Sequence, residues 1–197
     1  MGNAPLKFHH HIRSTVAKAA GVSNNLLKST LCRSPNFMLK LLITHIRPIL
    51  EFASCVWNSG FITDLSLLES VQRRWTKKIS GLVDMSYEQR LKSLDLFSVK
   101  GRLLRADLIK CWKIFHNMSP ISPSDLFLPT PITTTRGHCY KLYVTQCSCD
   151  ARRRFFSVRV VQVWNSLPAD VVMSPSINLF KKGLSAHLGD ILYTFND

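Results

Sequence analysis

Residues 34–60 read SPNFMLKLLITHIRPILEFASCVWNSG. Ser34 followed by Pro35 is a helix start, because proline at the first helical position lacks only an N–H that has no partner there anyway. Phe37, Met38, Leu41, Leu42, Ile43, Ile46, Ile49, Leu50, Phe52, Val56 and Trp57 then recur at helical spacing. Pro48 is expected to kink this helix, since the apolar spacing resumes immediately after it. Asn58 and Gly60 are expected to end it. A helix apolar on every side belongs inside a fold. The reading is therefore a mainly α protein built around this segment.

The flanks extend the pattern. Residues 8–31 carry Ile12, Val16, Ala19 and Ala20 near helical spacing, with interruptions expected at Gly21 and Asn24-Asn25. Residues 64–80 are two-faced. Leu65, Leu68, Val71, Trp75 and Ile79 fall on one side, and Arg73, Arg74, Lys77 and Lys78 on the other, before Gly81. Ser86 and Gln89 have the spacing of a capping box for a short helix to about Leu94. Ser98 is expected to cap a helix to Asn117, with Leu104, Leu108, Cys111 and Phe115 inside and Arg102, Arg105, Lys113 and His116 outside. Asp107 falls within the apolar arc, where a carboxylate needs a partner.

Residues 119–137 are rich in Pro, Ser and Thr and read as a long polar loop. Residues 138–149 read as a hairpin or irregular chain. Two more helices are expected, over 152–165 and 176–188. The domain reading is a helical bundle over 1–118, a loop over 119–137 and a smaller basic helical unit over 138–197.

The charge balance narrows the partners. The 197 residues hold 26 Lys+Arg against 12 Asp+Glu, a net charge of +14, which favours polyanions. No apolar run is long enough for a membrane span. The first seven residues lack a signal-peptide core, and Leu6 stands where myristoylation favours Ser or Thr. The expected setting is intracellular, nuclear or cytoplasmic, with free thiols and no membrane partner.

Chemistry is read mainly from what is missing. Nine Asp and three Glu are scattered singly, so no carboxylate cluster is available to hold two metal ions for phosphoryl transfer. No phosphate-binding glycine loop, nucleophile elbow or zinc-protease helix occurs. The chain is read as a non-enzyme without a cofactor. His9, His10 and His11 point about 100° apart on a helix and do not converge on one ion. His138, Cys139, Cys147 and Cys149 supply four soft ligands for a zinc knuckle, but Cys-x-Cys lacks the usual wrapping spacing, so the reading is a loop with free thiols. Cys32, Cys55 and Cys111 read as core fillers. The expected nucleic-acid contacts are Arg73, Arg74, Lys77 and Lys78, then Arg102 and Arg105, then Arg152, Arg153 and Arg154, with Arg159 nearby.

Seven stretches, in order, resemble motifs of LINE-type (non-LTR, jockey-like) retrotransposon reverse transcriptases. Residues 43–58, ITHIRPILEFASCVWN, are similar to that family's "IRPILEYAS-VW". LESVQRR (68–74) is similar to "LE-VQRR", and SYEQRL (86–91) to "SYEERL". RLLRADLI (102–109), TRGH (135–138), FFSVRVV (155–161) and WNSLP (164–168) resemble further motifs in family order. The likeness spans residues 6–190. It implies the thumb and C-terminal segment that follow the catalytic palm, with residues 6–12 at the palm's exit and the catalytic aspartates upstream. It also implies a thumb-like bundle that holds RNA/DNA or DNA duplex, with the palm of a parent polymerase as a further partner. Under this resemblance Asp107 is expected to pair with Arg90, Arg102 or Arg105 as a structural clamp. Trp57, Trp75, Trp112 and Trp164 are expected in the core, and Asn165 as a helix C-terminal cap. Two other classes stay open: a helical protein-interaction module, and a decayed remnant without independent function.

Overall fold

A computed structural model describes residues 8–130 and 137–195. The readings made on residues 1–7 and on Thr133-Thr134-Thr135 lie outside the described residues. Those residues are mainly helical, as the periodicity implies, and contain no β-strand; one isolated antiparallel bridge joins Pro129 and Leu142.

The apolar segment that dominates the sequence is helical but not one helix. α1 runs His9–Ser29; α2, Pro35–Leu41, leads into a π-helical turn, Leu42–Ile46, and then α3, Arg47–Glu51. Pro48 has no N–H and its ring crowds the carbonyl four residues back, so the ladder widens by one residue. The N–H of Arg47 accordingly donates to the carbonyl of Leu42. Helix then stops altogether: Phe52 is extended at ψ 126° and Ala53 is left-handed at φ 53° before α4, Ser54–Trp57. The all-round burial read from the sequence is corrected too. Met38, Leu42, Ile46 and Leu50 are fully buried, but Phe52 and Val56 are 81% and 70% exposed.

α1 is continuous where interruptions were expected at Gly21 and Asn24-Asn25. A helical glycine costs about 1 kcal/mol against alanine, an amount that tertiary packing overrides. Here α1 packs along α5, Ile62–Thr76, and buries Ile12, Ala19 and Ser23. α5 ends at Thr76, earlier than expected, so Lys77 and Lys78 lie in the turns that follow. α6, Tyr87–Ser93, carries the expected capping box: Gln89 N–H donates to Ser86 Oγ, and Ser86 N–H to Gln89 Oε1.

α7 is Val99–Phe115, and Ser98 Oγ accepts from the N–H of Gly101 as its cap. Its buried face is Leu103, Asp107, Leu108, Cys111, Trp112 and Ile114, displaced from the stripe read on Leu104 and Phe115. α8 (Pro123–Leu126) and α9 (Asp150–Arg153) are single turns. α10 (Phe156–Ser166), α11 (Ala169–Val172) and α12 (Ile177–Leu188) follow, with Ser176 capping α12 through the N–H of Leu179. The helix expected over 152–165 is broken at Phe155, which is extended at ψ 146°.

Two compact units divide the chain. One comprises residues up to Arg102 together with those from Asp190 onward; the other is Leu103–Gly189. This differs from the division at 118 and 138. The reason lies in α7, whose later turns bury Trp112 with its indole N–H on the carbonyl of Val172. The C-terminal stretch returns to the first unit, where Ser98 N–H and Oγ both donate to the carbonyl of Leu192. Gly101 permits that return: a Cβ there would stand 2.5 Å from the carbonyl oxygen of Leu192.

The four tryptophans sit in the cores, each at most 4% exposed. Their indole N–H groups donate to carbonyls: Trp57 to Phe52, Trp75 to Met38, Trp112 to Val172 and Trp164 to Tyr140. Fully burying side chains of this size contributes roughly 1.5–3 kcal/mol each.

Candidate nucleic-acid interface

The cations sort into those turned inward and those facing solvent. Asp107 holds the clearest inward one. Its carboxylate receives Arg159 Nε at 2.8 Å and Nη2 at 2.9 Å, a bidentate pair with little solvent access on either side. The expected partners were Arg90, Arg102 and Arg105, so this is a correction. A helical wheel shows only neighbours on the same helix, whereas Arg159 comes from α10. Arg102 is also bidentate, on Glu51 of α3. Arg105 donates to Ser185 Oγ at 3.3 Å and to the carbonyl of Lys181 at 3.4 Å. Arg90 serves the carbonyl of Met85 at 2.6 Å and Thr76 Oγ1 at 3.2 Å.

Arg73 belongs with this inward set. Its guanidinium lies 5.0 Å from the ring centre of Tyr87 and 5.9 Å from that of Phe195. It stands beside the buried Glu69, whose carboxylate accepts from the Tyr87 hydroxyl and from the N–H groups of Val99 and Lys100 at the start of α7. Burial pushes the Glu69 carboxyl up and these bonds pull it back, with the upward effect winning. Arg47 bonds Gln72 and the carbonyl of Phe97 within the same unit. Burial, then the charge of Arg102, bring its guanidinium down to about 10, so it stays charged at neutral pH.

Arg74, Lys77 and Lys78 face outward. They line a cleft of about 280 Å³ between α1 and the end of α5, together with Val71 and with Ala20, Ser23, Asn24 and Leu27. None of these eight residues is acidic. The α1 wall follows directly from helical spacing, because residues 20, 23, 24 and 27 lie on one face. Small side chains at Ala20 and Ser23 leave the space open. This wall is absent from the sequence reading, since Gly21 and Asn24-Asn25 read as breaks. The available signal was the run of small and polar residues at helical spacing.

In the second unit Arg152, Arg153 and Arg154 stand on and after the single turn α9, not along a helix face. Arg152 lies 5.4 Å from the ring centre of the half-exposed Phe155. Arg153 donates to the carbonyl of Cys147 at 2.9 Å, and Arg154 to Asp150 at 3.2 Å.

The metal candidates do not come together. His138 is buried, with Nε2 3.0 Å from the carbonyl of Trp164 and its ring edge-on to that indole. Burial holds its imidazole below the usual range, which favours the neutral form. Cys139 Sγ meets Met173 Sδ at 3.6 Å, and Cys147 Sγ faces the carbonyl of Thr145. His9 bonds Asp64 at 2.5 Å, while His11 packs near Trp57. Among the described residues no group of three His, Cys, Asp or Glu is placed to hold a metal ion, and no helix is long and apolar enough to cross a membrane.

Asn165 is not a helix cap. It lies within α10, where its amide accepts from the N–H of Leu142 at 2.9 Å and donates to the carbonyl of Leu142 at 2.7 Å. One side chain thus satisfies both backbone groups of a buried residue in irregular chain.

No protein-family model matches the chain, and no curated protein or solved structure matches it significantly.

Proposed function

We propose that this chain is a thumb-like, C-terminal portion of a LINE-type reverse transcriptase that grips nucleic-acid duplex by its phosphates. The observation that carries this reading is the cluster of Arg74, Lys77 and Lys78 on one rim of a cleft whose lining residues include no acid. Three adjacent solvent-facing cations attract phosphate without discriminating bases, and they suit RNA/DNA hybrid and DNA duplex alike. The seven family-like motifs supply the second support. The role needs no cofactor and no catalysis by this chain, and it belongs in the nucleus or cytoplasm. The palm of a parent polymerase is the protein partner that the motif order suggests.

The test is binding to RNA/DNA hybrid, duplex DNA and single strands across a salt series. Similar affinity for both duplexes with steep salt dependence is expected. Each of Arg74→Glu, Lys77→Glu and Lys78→Glu should weaken binding uniformly, and removing one phosphate contact lowers the salt slope by about one unit. If the triple variant binds with the parent's affinity and slope, the assignment is wrong.

A second reading, a helical protein-interaction module, draws on the exposed Phe52 and Val56 around the Ala53 break. It calls for partner binding that is insensitive to salt and lost in Phe52→Ser.

A further inference from the structure

The cleft beside Arg74 is built asymmetrically, and the asymmetry bears on what it holds. Its cations all come from α5 and the turn after it, whereas the α1 wall offers Ala20, Ser23, Asn24 and Leu27. A groove that only tracked a phosphate backbone would need cations and little else. This one adds an uncharged wall of small, amide and aliphatic side chains facing Val71. The fitting ligand has one anionic end and one flat, weakly polar end.

We propose that the cleft seats a single unpaired nucleotide of a bound strand. The base lies against Ala20 and Leu27, the Asn24 amide meets its edge, and the phosphate is held by Arg74, Lys77 and Lys78. The cleft is small: about 280 Å³ lies just below the span of ligand sites, roughly 300–1,000 Å³, so it admits one nucleotide at most. Asn24 is exposed and its amide both donates and accepts, so it can serve any base edge. Taking a base out of a stacked duplex is costly, and least so where the base is already unpaired. The cleft therefore favours a strand end or overhang over blunt duplex. This inference rests on the nucleic-acid reading above and adds to it a preference for a particular structure of the bound strand.

The experiment compares a labelled blunt RNA/DNA hybrid with the same hybrid bearing a one-nucleotide overhang, at fixed salt. The parent is set beside Ala20→Leu, Asn24→Ala and the triple glutamate variant. Leucine is a strong helix former, so Ala20→Leu fills the cleft while α1 persists. Circular dichroism checks this, and Asn24→Ala provides a second, surface-level change. The parent should bind the overhang about fivefold more tightly, the size of one net hydrogen bond from Asn24. Adenosine monophosphate should displace it at lower concentration than inorganic phosphate does. Ala20→Leu should abolish the preference, and Asn24→Ala should reduce it. Salt-dependent blunt binding with no overhang preference in the parent, or a preference that survives Ala20→Leu, overturns the pocket and leaves the backbone grip standing. Failure of the parent to bind either hybrid overturns both.

Discussion

The unit made of residues up to Arg102 with those from Asp190 onward and the unit Leu103–Gly189 hold their interiors together by different means. In the first, charged and polar groups run through the core: Arg47 on Gln72 and Phe97, Glu69 on Tyr87 and the first N–H groups of α7, and Arg90 on Thr76. In the second, rings meet rings. Trp112 stacks on Phe180 at 5.4 Å, and Phe115 on Trp164 at 5.5 Å, and the same unit holds the Asp107–Arg159 pair. Stacked rings stabilise by area and tolerate small shifts. Buried ions gain little net energy but penalise any arrangement that leaves one of them alone. The comparison shows that positive charge in so basic a chain is used inside both units as well as on their surfaces. Arg47, Arg73, Arg90, Arg102, Arg105 and Arg159 are engaged inside the fold, whereas Arg74, Arg152 and Arg153 are exposed.

The largest test attacks the Asp107–Arg159 pair of the aromatic unit. Asp107→Ala leaves Arg159 buried without its counter-charge and should cost about 3–5 kcal/mol in urea denaturation. Replacing both residues with leucine should recover most of that loss. If Asp107→Ala alone costs under about 1 kcal/mol, the pair behaves as a surface salt bridge and the contrast between the units weakens.

Next in size is Asn165→Ala, which strips both backbone partners from Leu142. Leaving these buried groups unpaired should cost about 1–3 kcal/mol. Amide exchange at Leu142 should accelerate in the variant while exchange in α5 stays as it was.

Glu69→Gln sharpens the comparison from the other side. The folded carboxyl titrates above its ordinary value, so it binds a proton more readily folded than unfolded. That contribution to stability is fully present below the ordinary glutamate range and is lost as pH rises through the folded value. The parent should therefore lose stability relative to Glu69→Gln as pH rises from about 4.5 toward neutrality. Denaturation midpoints of the two proteins across that range should move apart. Parallel curves would mean that this carboxylate is no more perturbed than a surface one.

The smallest effect concerns α1. Gly21 is helical, and a Cβ added there meets nothing within 4 Å. Gly21→Ala should raise stability by about 0.5–1 kcal/mol, partly by restricting the unfolded chain. It should leave the neighbouring cleft unaltered.

How much was legible in advance differs from element to element. The Ser86–Gln89 capping box, the Ser98 cap and the burial of the four tryptophans depend on residues a few positions apart or on simple amphipathic patterning. The break at Ala53 and the continuity of α1 through Gly21 ran against local signals, because packing outweighs propensities of about 1 kcal/mol. Of the expected binding residues, Arg74, Lys77 and Lys78 stand together as the charge run suggested. Arg73 sits in the same run yet turns onto Tyr87 and Phe195, which a wheel of one helix cannot show.

The sequence by itself determined the helical class, the Ser86–Gln89 box and the Ser98 cap, the excess of positive charge and the burial of the tryptophans. These follow from periods of 3.6 residues, from side chains bonding to nearby N–H groups, and from solvation. Tertiary structure alone decided which arginine met Asp107, that Asn165 would serve Leu142, and that α1 would supply an uncharged wall opposite Arg74. Those outcomes join residues 23 to 54 positions apart, and such pairings are fixed by how helices pack rather than by any pattern along the chain.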